Sequence, residues 1–262
     1  MKASVCIEMI YTEYPFLERI KKAAQAGFDA IEFWNWDTKD LPAIKKAVKE
    51  ADIGIAAFQG NLGGTLINPA HREKLVSGLR QSLEKGREMK TCGLFLLTDE
   101  LGEDRSVRFR FPQLSEEVKY QSVLDGLKTL APLAEKAGVT LFLEPLNIHV
   151  DHAGFYLHHS AVAFDLVRAV GSQRIQVLFD IYHMQVMEGN IIQSLTSNLD
   201  VIGHVHVADV PGRHEPDTGE LNYPNIFKTL RKAGYKGYVG FEFAPTGKSD
   251  KVAAAALQML KG

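Results

Sequence analysis

"VIGHVHVADVPGRHEPDTGELNYPNIFKTLRKAGYKGYVGFEF", Val201–Phe243, holds one complete strand–helix–strand unit. Its first run, Val201–Asp209, alternates apolar residues with His204 and His206, the two-residue period of a strand. A polar, turn-rich loop follows, with Pro211, Gly212, Pro216 and Gly219. A helical stretch then ends at Gly234, the usual glycine after a helix C-terminus, and a second strand covers Tyr238–Phe243. Both strands carry an ionisable residue near their C-terminal ends, His206 and Glu242.

The same unit repeats along the chain. Strands are expected at Ser4–Met9, Ala30–Trp34, Gly54–Gln59, Gly93–Thr98, Thr140–Pro145 and Ile175–Asp180, before the two just named. Between them lie stretches with apolar residues at three- and four-residue spacing, such as "PFLERIKKAAQAG" and "EEVKYQSVLDGLKTLAPLAEKAG", which end in Gly27 and Gly138. Eight such alternations in about 250 residues predict an α/β protein, a single (β/α)8 TIM barrel over 1–262. An open doubly wound sheet is the alternative, but no GxGxxG follows the first strand. The longest stretch without an element, Asp99–Ser115, then falls on the face where barrel active sites form.

Composition narrows the setting. The chain is 45% hydrophobic and 24% charged with a net charge of −2, so neither nucleic acid nor an anionic membrane surface is expected as a partner. The two cysteines, Cys6 and Cys92, stand far apart and suggest a reduced, cytoplasmic setting. No signal peptide or transmembrane run is apparent.

In a (β/α)8 barrel the reactive groups sit where strands end. The fifth to eighth strands deliver Glu144, Asp180, His206 and Glu242 to one rim. Each has a bland explanation alone: Glu144 as a first loop residue, Asp180 as a helix cap, a strand histidine as a core residue. Together, on four successive strands, they read as a ligand set for one divalent metal ion. Three carboxylates and an imidazole suit Mn²⁺ or Mg²⁺ best, with Co²⁺ or Zn²⁺ as further candidates. His204 is expected to pack. The aromatic cluster Phe33–Trp36 reads as rim packing or as a wall against substrate, and Glu8 has no assigned role.

"FLEPLN", "FDIYHMQVMEGN", "GHVHVADVPGRHEPDTGELNY" and "GYVGFEF" together resemble the hydroxypyruvate isomerase family. That family belongs to the xylose-isomerase-like barrel superfamily, with the ketose 3-epimerases. The resemblance covers essentially the whole chain. It implies that Glu144, Asp180, His206 and Glu242 hold the metal and that Glu144 and Glu242 form the acid/base pair. It also implies that His183 and Arg213 contact substrate. The reaction implied interconverts a small hydroxy-oxo acid and its semialdehyde, of the hydroxypyruvate and tartronate semialdehyde type, through an enediolate. Arg213 can grip a carboxylate at two points, which favours the oxo-acid.

Two features depart from the family. His206 stands where hydroxypyruvate isomerases usually carry Gln and looks like the epimerases. The loop "NIHVDHAGFYL" offers His149, Asp151 and His152 without assigned roles. A ketose 3-epimerase, or a related isomerase or lyase on free or oxidised sugars, is therefore the alternative. An endonuclease IV-type phosphodiesterase shares the barrel, but needs about three metal ions and a basic groove. A non-catalytic sugar-binding barrel would lack Glu144 or Glu242. Superfamily relatives are often homo-oligomers, although no interface signal stands out here.

Overall fold

The computed structural model describes residues 1–262. Eight parallel strands close on themselves in sequence order, β1 to β8, which excludes the open sheet. They are β1 (Lys2–Cys6), β2 (Ala30–Phe33), β3 (Gly54–Gln59), β4 (Gly93–Leu96), β5 (Thr140–Leu143), β6 (Ile175–Asp180), β7 (Ile202–Val207) and β8 (Tyr238–Phe241). Most expected strands overran the hydrogen-bonded ladder by about two residues at their C-terminal ends. Glu144 and Glu242 therefore sit one residue past β5 and β8, on the barrel rim.

Nine α-helices surround the barrel: α1 (Phe16–Ala26), α2 (Leu41–Glu50), α3 (Arg72–Met89), α4 (Glu116–Ala137), α5 (Ser160–Val170), α6 (Ile181–Met187), α7 (Ile191–Ser197), α8 (Tyr223–Lys232) and α9 (Ser249–Lys261). Gly27 and Gly138 follow α1 and α4 in the left-handed conformation, as their spacing predicts. Asp99–Ser115 contains no helix or strand. No helix is long and apolar enough to cross a membrane.

Apolar side chains divide into two cores, which is how a closed barrel buries both faces of its sheet. The larger one lies between strands and helices, with Val5, Ile31, Leu141, Val177, Val205 and Val239 facing it. The smaller comprises Ala57, Phe95, Phe142 and Leu178, one residue from each of β3 to β6. It plugs the barrel interior. The two-residue strand period then sets the layer above the plug: Phe142 leads to Glu144 and Leu178 to Asp180. On β7 and β8 the same step leads from His204 to His206 and from Gly240 to Glu242. The pairing shifts between Ile31 and Glu32 and between Val177 and Leu178. Such bulges re-aim the side chains that follow them.

Candidate active site and metal centre

The structure brings Glu144, Asp180, His206 and Glu242 together, with ligand atoms all within 4.8 Å of one another. All four are buried. His206 Nδ1 lies 3.4 Å from Glu242 Oε2 and 3.8 Å from Glu144 Oε1. That nitrogen is buried and has no hydrogen-bond partner. An unpartnered imidazole nitrogen facing three carboxylates is what a hard divalent cation requires, so the residues fit a metal ion.

Asp180 serves two purposes at once. Its Oδ1 caps α6, accepting from the Tyr182 amide at 2.8 Å and the His183 amide at 3.3 Å. Its Oδ2 faces the cluster, 3.4 Å from Arg213 Nη2. The capping explanation and the ligand explanation thus apply to different oxygens of one carboxylate.

The two glutamates sit in contrasting surroundings. Burial pushes the Glu144 carboxyl up to about 8, aided by the negative charges of Glu242 and Asp180 against the pull of His206. Burial also disfavours charge on Glu242, but Arg213 and His206 outweigh it and hold that carboxyl down at about 2. Arg213 Nη2 donates to Glu242 Oε2 at 2.5 Å, and Trp34 Nε1 donates to Oε1 at 3.0 Å. Arg213 Nε is buried and unpartnered.

His183 projects from α6 with Nε2 3.6 Å from Asp180 Oδ2. Its Nδ1 accepts from the Asn147 backbone amide at 3.2 Å, with the Asn147 side-chain nitrogen 2.7 Å away. Asn147 is itself fixed, because its Oδ1 accepts from the Val150 and Asp151 amides, both at 3.0 Å. The proton of a neutral His183 therefore resides on Nε2, facing the site. Burial, reinforced by Arg213, lowers its pKa well below the ordinary imidazole value.

The loop after β5 gains its roles from this network. Asp151 accepts from Asn147 Nδ2 and from Tyr182 Oη, each at 2.8 Å. His152 is buried, its Nδ1 2.9 Å from the Arg105 carbonyl and its ring 5.3 Å from His183. His149 is exposed.

The loop after β7 is organised by Asp209. Its carboxylate accepts from the amides of Val210, Asp217, Thr218, Gly219 and Leu221 at 2.9–3.2 Å. A Cβ on Gly219 would lie 2.1 Å from the Val210 carbonyl oxygen. His214 meets the Ala244 carbonyl at 2.8 Å, Glu215 accepts from Thr246, and Glu220 accepts from Gln185. These groups order the loop that carries Arg213.

Sequence reasoning missed Glu32, Asn147 and Asp209. Glu32 is fully buried inside the barrel, with His206 Nε2 2.9 Å from its Oε2 and His204 Nε2 2.9 Å from its Oε1. His204 packs on Phe142, as expected, yet also touches this carboxylate. The available signal was a lone acid inside the apolar run "AIEFW". Glu8, unassigned from sequence, accepts from the Trp34 amide at 3.2 Å and pairs with Lys39 at 2.7 Å.

The xylose isomerase-like TIM barrel family matches residues 20–262. The chain belongs to this family. Within the family it resembles hydroxypyruvate isomerase from Escherichia coli K12, 30% identical, covering 94% of each chain. It is 32% identical to 2-oxo-tetronate isomerase from Cupriavidus necator, covering 91% of each. Like these two relatives, it is an isomerase. Among solved structures, a family 2 AP endonuclease from Brucella melitensis superposes with a TM-score of 0.88 at 27% identity, covering 98% of this chain and 99% of that one.

Proposed function

We propose that this family member is a metal-dependent isomerase of a small hydroxy-oxo acid, of the hydroxypyruvate and tartronate semialdehyde type. The observation that carries the reading is the unpartnered His206 Nδ1 facing Glu144, Asp180 and Glu242, with the free Nε of Arg213 beside them. Relatives named for hydroxypyruvate and 2-oxo-tetronate support the substrate class.

Glu144, Asp180, His206 and Glu242 would hold a divalent ion, which would supply positive charge to substrate oxygens that turn negative in the reaction. The chain's own groups do the rest. Arg213 binds the substrate carboxylate through its free Nε. His183 donates from Nε2 to a substrate oxygen. One of Glu144 and Glu242 takes the proton from the hydroxymethyl carbon, and a carboxyl returns a proton to the neighbouring carbonyl carbon. A hydroxyl proton moves between the two oxygens, so substrate and product are isomers. The Trp34 and Arg213 contacts hold Glu242 with both oxygens oriented.

Glu242→Gln tests this directly. Loss of turnover in a folded protein supports the reading, and wild-type activity contradicts it. The second reading, a ketose 3-epimerase, draws on His206, which matches the epimerase pattern. There the proton returns to the opposite face of the same carbon, and no substrate carboxylate is required.

A further inference from the structure

We infer that Glu32, buried in the barrel interior, is a positioning residue that fixes which nitrogen of His206 faces the metal site. The inference rests on the metal reading above and extends it beyond the four ligands. His206 has two ring nitrogens, and only one can serve a given ion. Nε2 lies 2.9 Å from Glu32 Oε2 and donates to it, which leaves Nδ1 bare toward Glu144 and Glu242. A carboxylate on the distal nitrogen sets the tautomer, fixes the ring plane and makes the ligating nitrogen more basic.

The barrel is built to keep that carboxylate in place. Glu32 is fully buried, which isolated carboxylates do not tolerate. Ser4 Oγ donates to its Oε1 at 2.5 Å from β1. His204 Nε2 stands 2.9 Å from the same oxygen, out of line for a hydrogen bond. The ladder shifts register immediately before Glu32. Next to Ser4 in the ladder, on β8, a Cβ at Gly240 would lie 2.6 Å from Glu32 Oε1 and 2.7 Å from His206 Cδ2. Glycine at that position leaves the room in which the pair meets. A purely structural ion pair with His204, through Oε1, would not need the Oε2 contact with His206.

The test is a metal titration without substrate, using Mn²⁺ and reading free ion by electron paramagnetic resonance. Glu32→Gln and Glu32→Leu are compared with wild type and with His204→Phe, each checked for folding by circular dichroism. The expected result is Mn²⁺ affinity weakened about 10- to 100-fold in both Glu32 variants and within about threefold of wild type in His204→Phe. Folded Glu32 variants with wild-type affinity overturn the inference but leave the metal reading intact. A wild-type protein that binds no Mn²⁺ overturns both. If the Glu32 variants do not fold, histidine-selective ¹⁵N NMR of the Mg²⁺-loaded wild type decides. A protonated Nε2 on His206 supports the assignment, and a protonated Nδ1 overturns it.

Discussion

Trp34 and Glu242 meet across the mouth of the barrel, the indole Nε1 3.0 Å from Oε1 of the carboxylate. The contact joins the end of β2 to the end of β8 and fixes a carboxylate that has Arg213 on its other oxygen. Trp34→Phe keeps an aromatic ring and removes only the N–H donor. We expect kcat to fall at least about tenfold with KM nearly unchanged, since one such hydrogen bond to a charged group is worth about 1.5–3 kcal/mol. Steady-state kinetics at fixed metal concentration checks it. A KM effect alone would make Trp34 a substrate wall instead.

Arg213 separates the two substrate readings. Arg213→Ala removes the free Nε and the Glu242 contact together. Turnover of hydroxypyruvate is expected to drop at least 100-fold, on the order of 3 kcal/mol. The loss on any neutral ketose turned over is expected to be at least tenfold smaller. Equal losses on both would remove Arg213 as the carboxylate-binding group.

Asp209 holds five backbone amides of the loop that presents Arg213. Asp209→Ala removes the charged acceptor shared by five part-buried amides, so we expect a stability loss of about 2 kcal/mol. Chemical denaturation measures it, and limited proteolysis is expected to cut first within residues 210–221. A loss below about 0.5 kcal/mol would show that the loop is ordered without the carboxylate.

Asp99 gives a pH-dependent prediction away from the ligand set. It is buried, with Oδ2 accepting from Thr98 and from the Tyr156 amide and Oδ1 unpartnered. Burial pushes its carboxyl up to about 6. The folded state therefore holds a proton that the unfolded chain has released, and Asp99 makes stability fall as pH rises from about 4 to about 6. Asp99→Asn removes this dependence. The variant is expected to gain roughly 2 kcal/mol over wild type at pH 7, with the difference shrinking toward pH 4. Denaturation curves at both pH values check it, and a constant difference would contradict it.

The barrel was legible because the strand–helix units announce themselves locally, by period and, at Gly27, Gly138 and Gly234, by a glycine after the helix. The strand-end set was legible because Glu144, Asp180, His206 and Glu242 share one place in four successive units. Glu32 was hidden for a physical reason. Its partners, Ser4, His204 and His206, come from β1 and β7, and only closure of the barrel makes those strands neighbours of one interior. Asp209 was hidden because its five donors are backbone amides, which carry no residue-type signal. Asn147 acts through its backbone as well as its side chain, and is equally silent in sequence.

Metal add-back to stripped protein decides whether Glu144, Asp180, His206 and Glu242 work through a bound ion. The purified chain is treated with chelator, then assayed with Mn²⁺, Mg²⁺ or Co²⁺ on hydroxypyruvate and other small oxo-acids, and on fructose, tagatose and ribulose. Metal-dependent turnover of an oxo-acid in preference to the free ketoses is the expected result. Full activity in the stripped protein, or turnover confined to the ketoses, would contradict it.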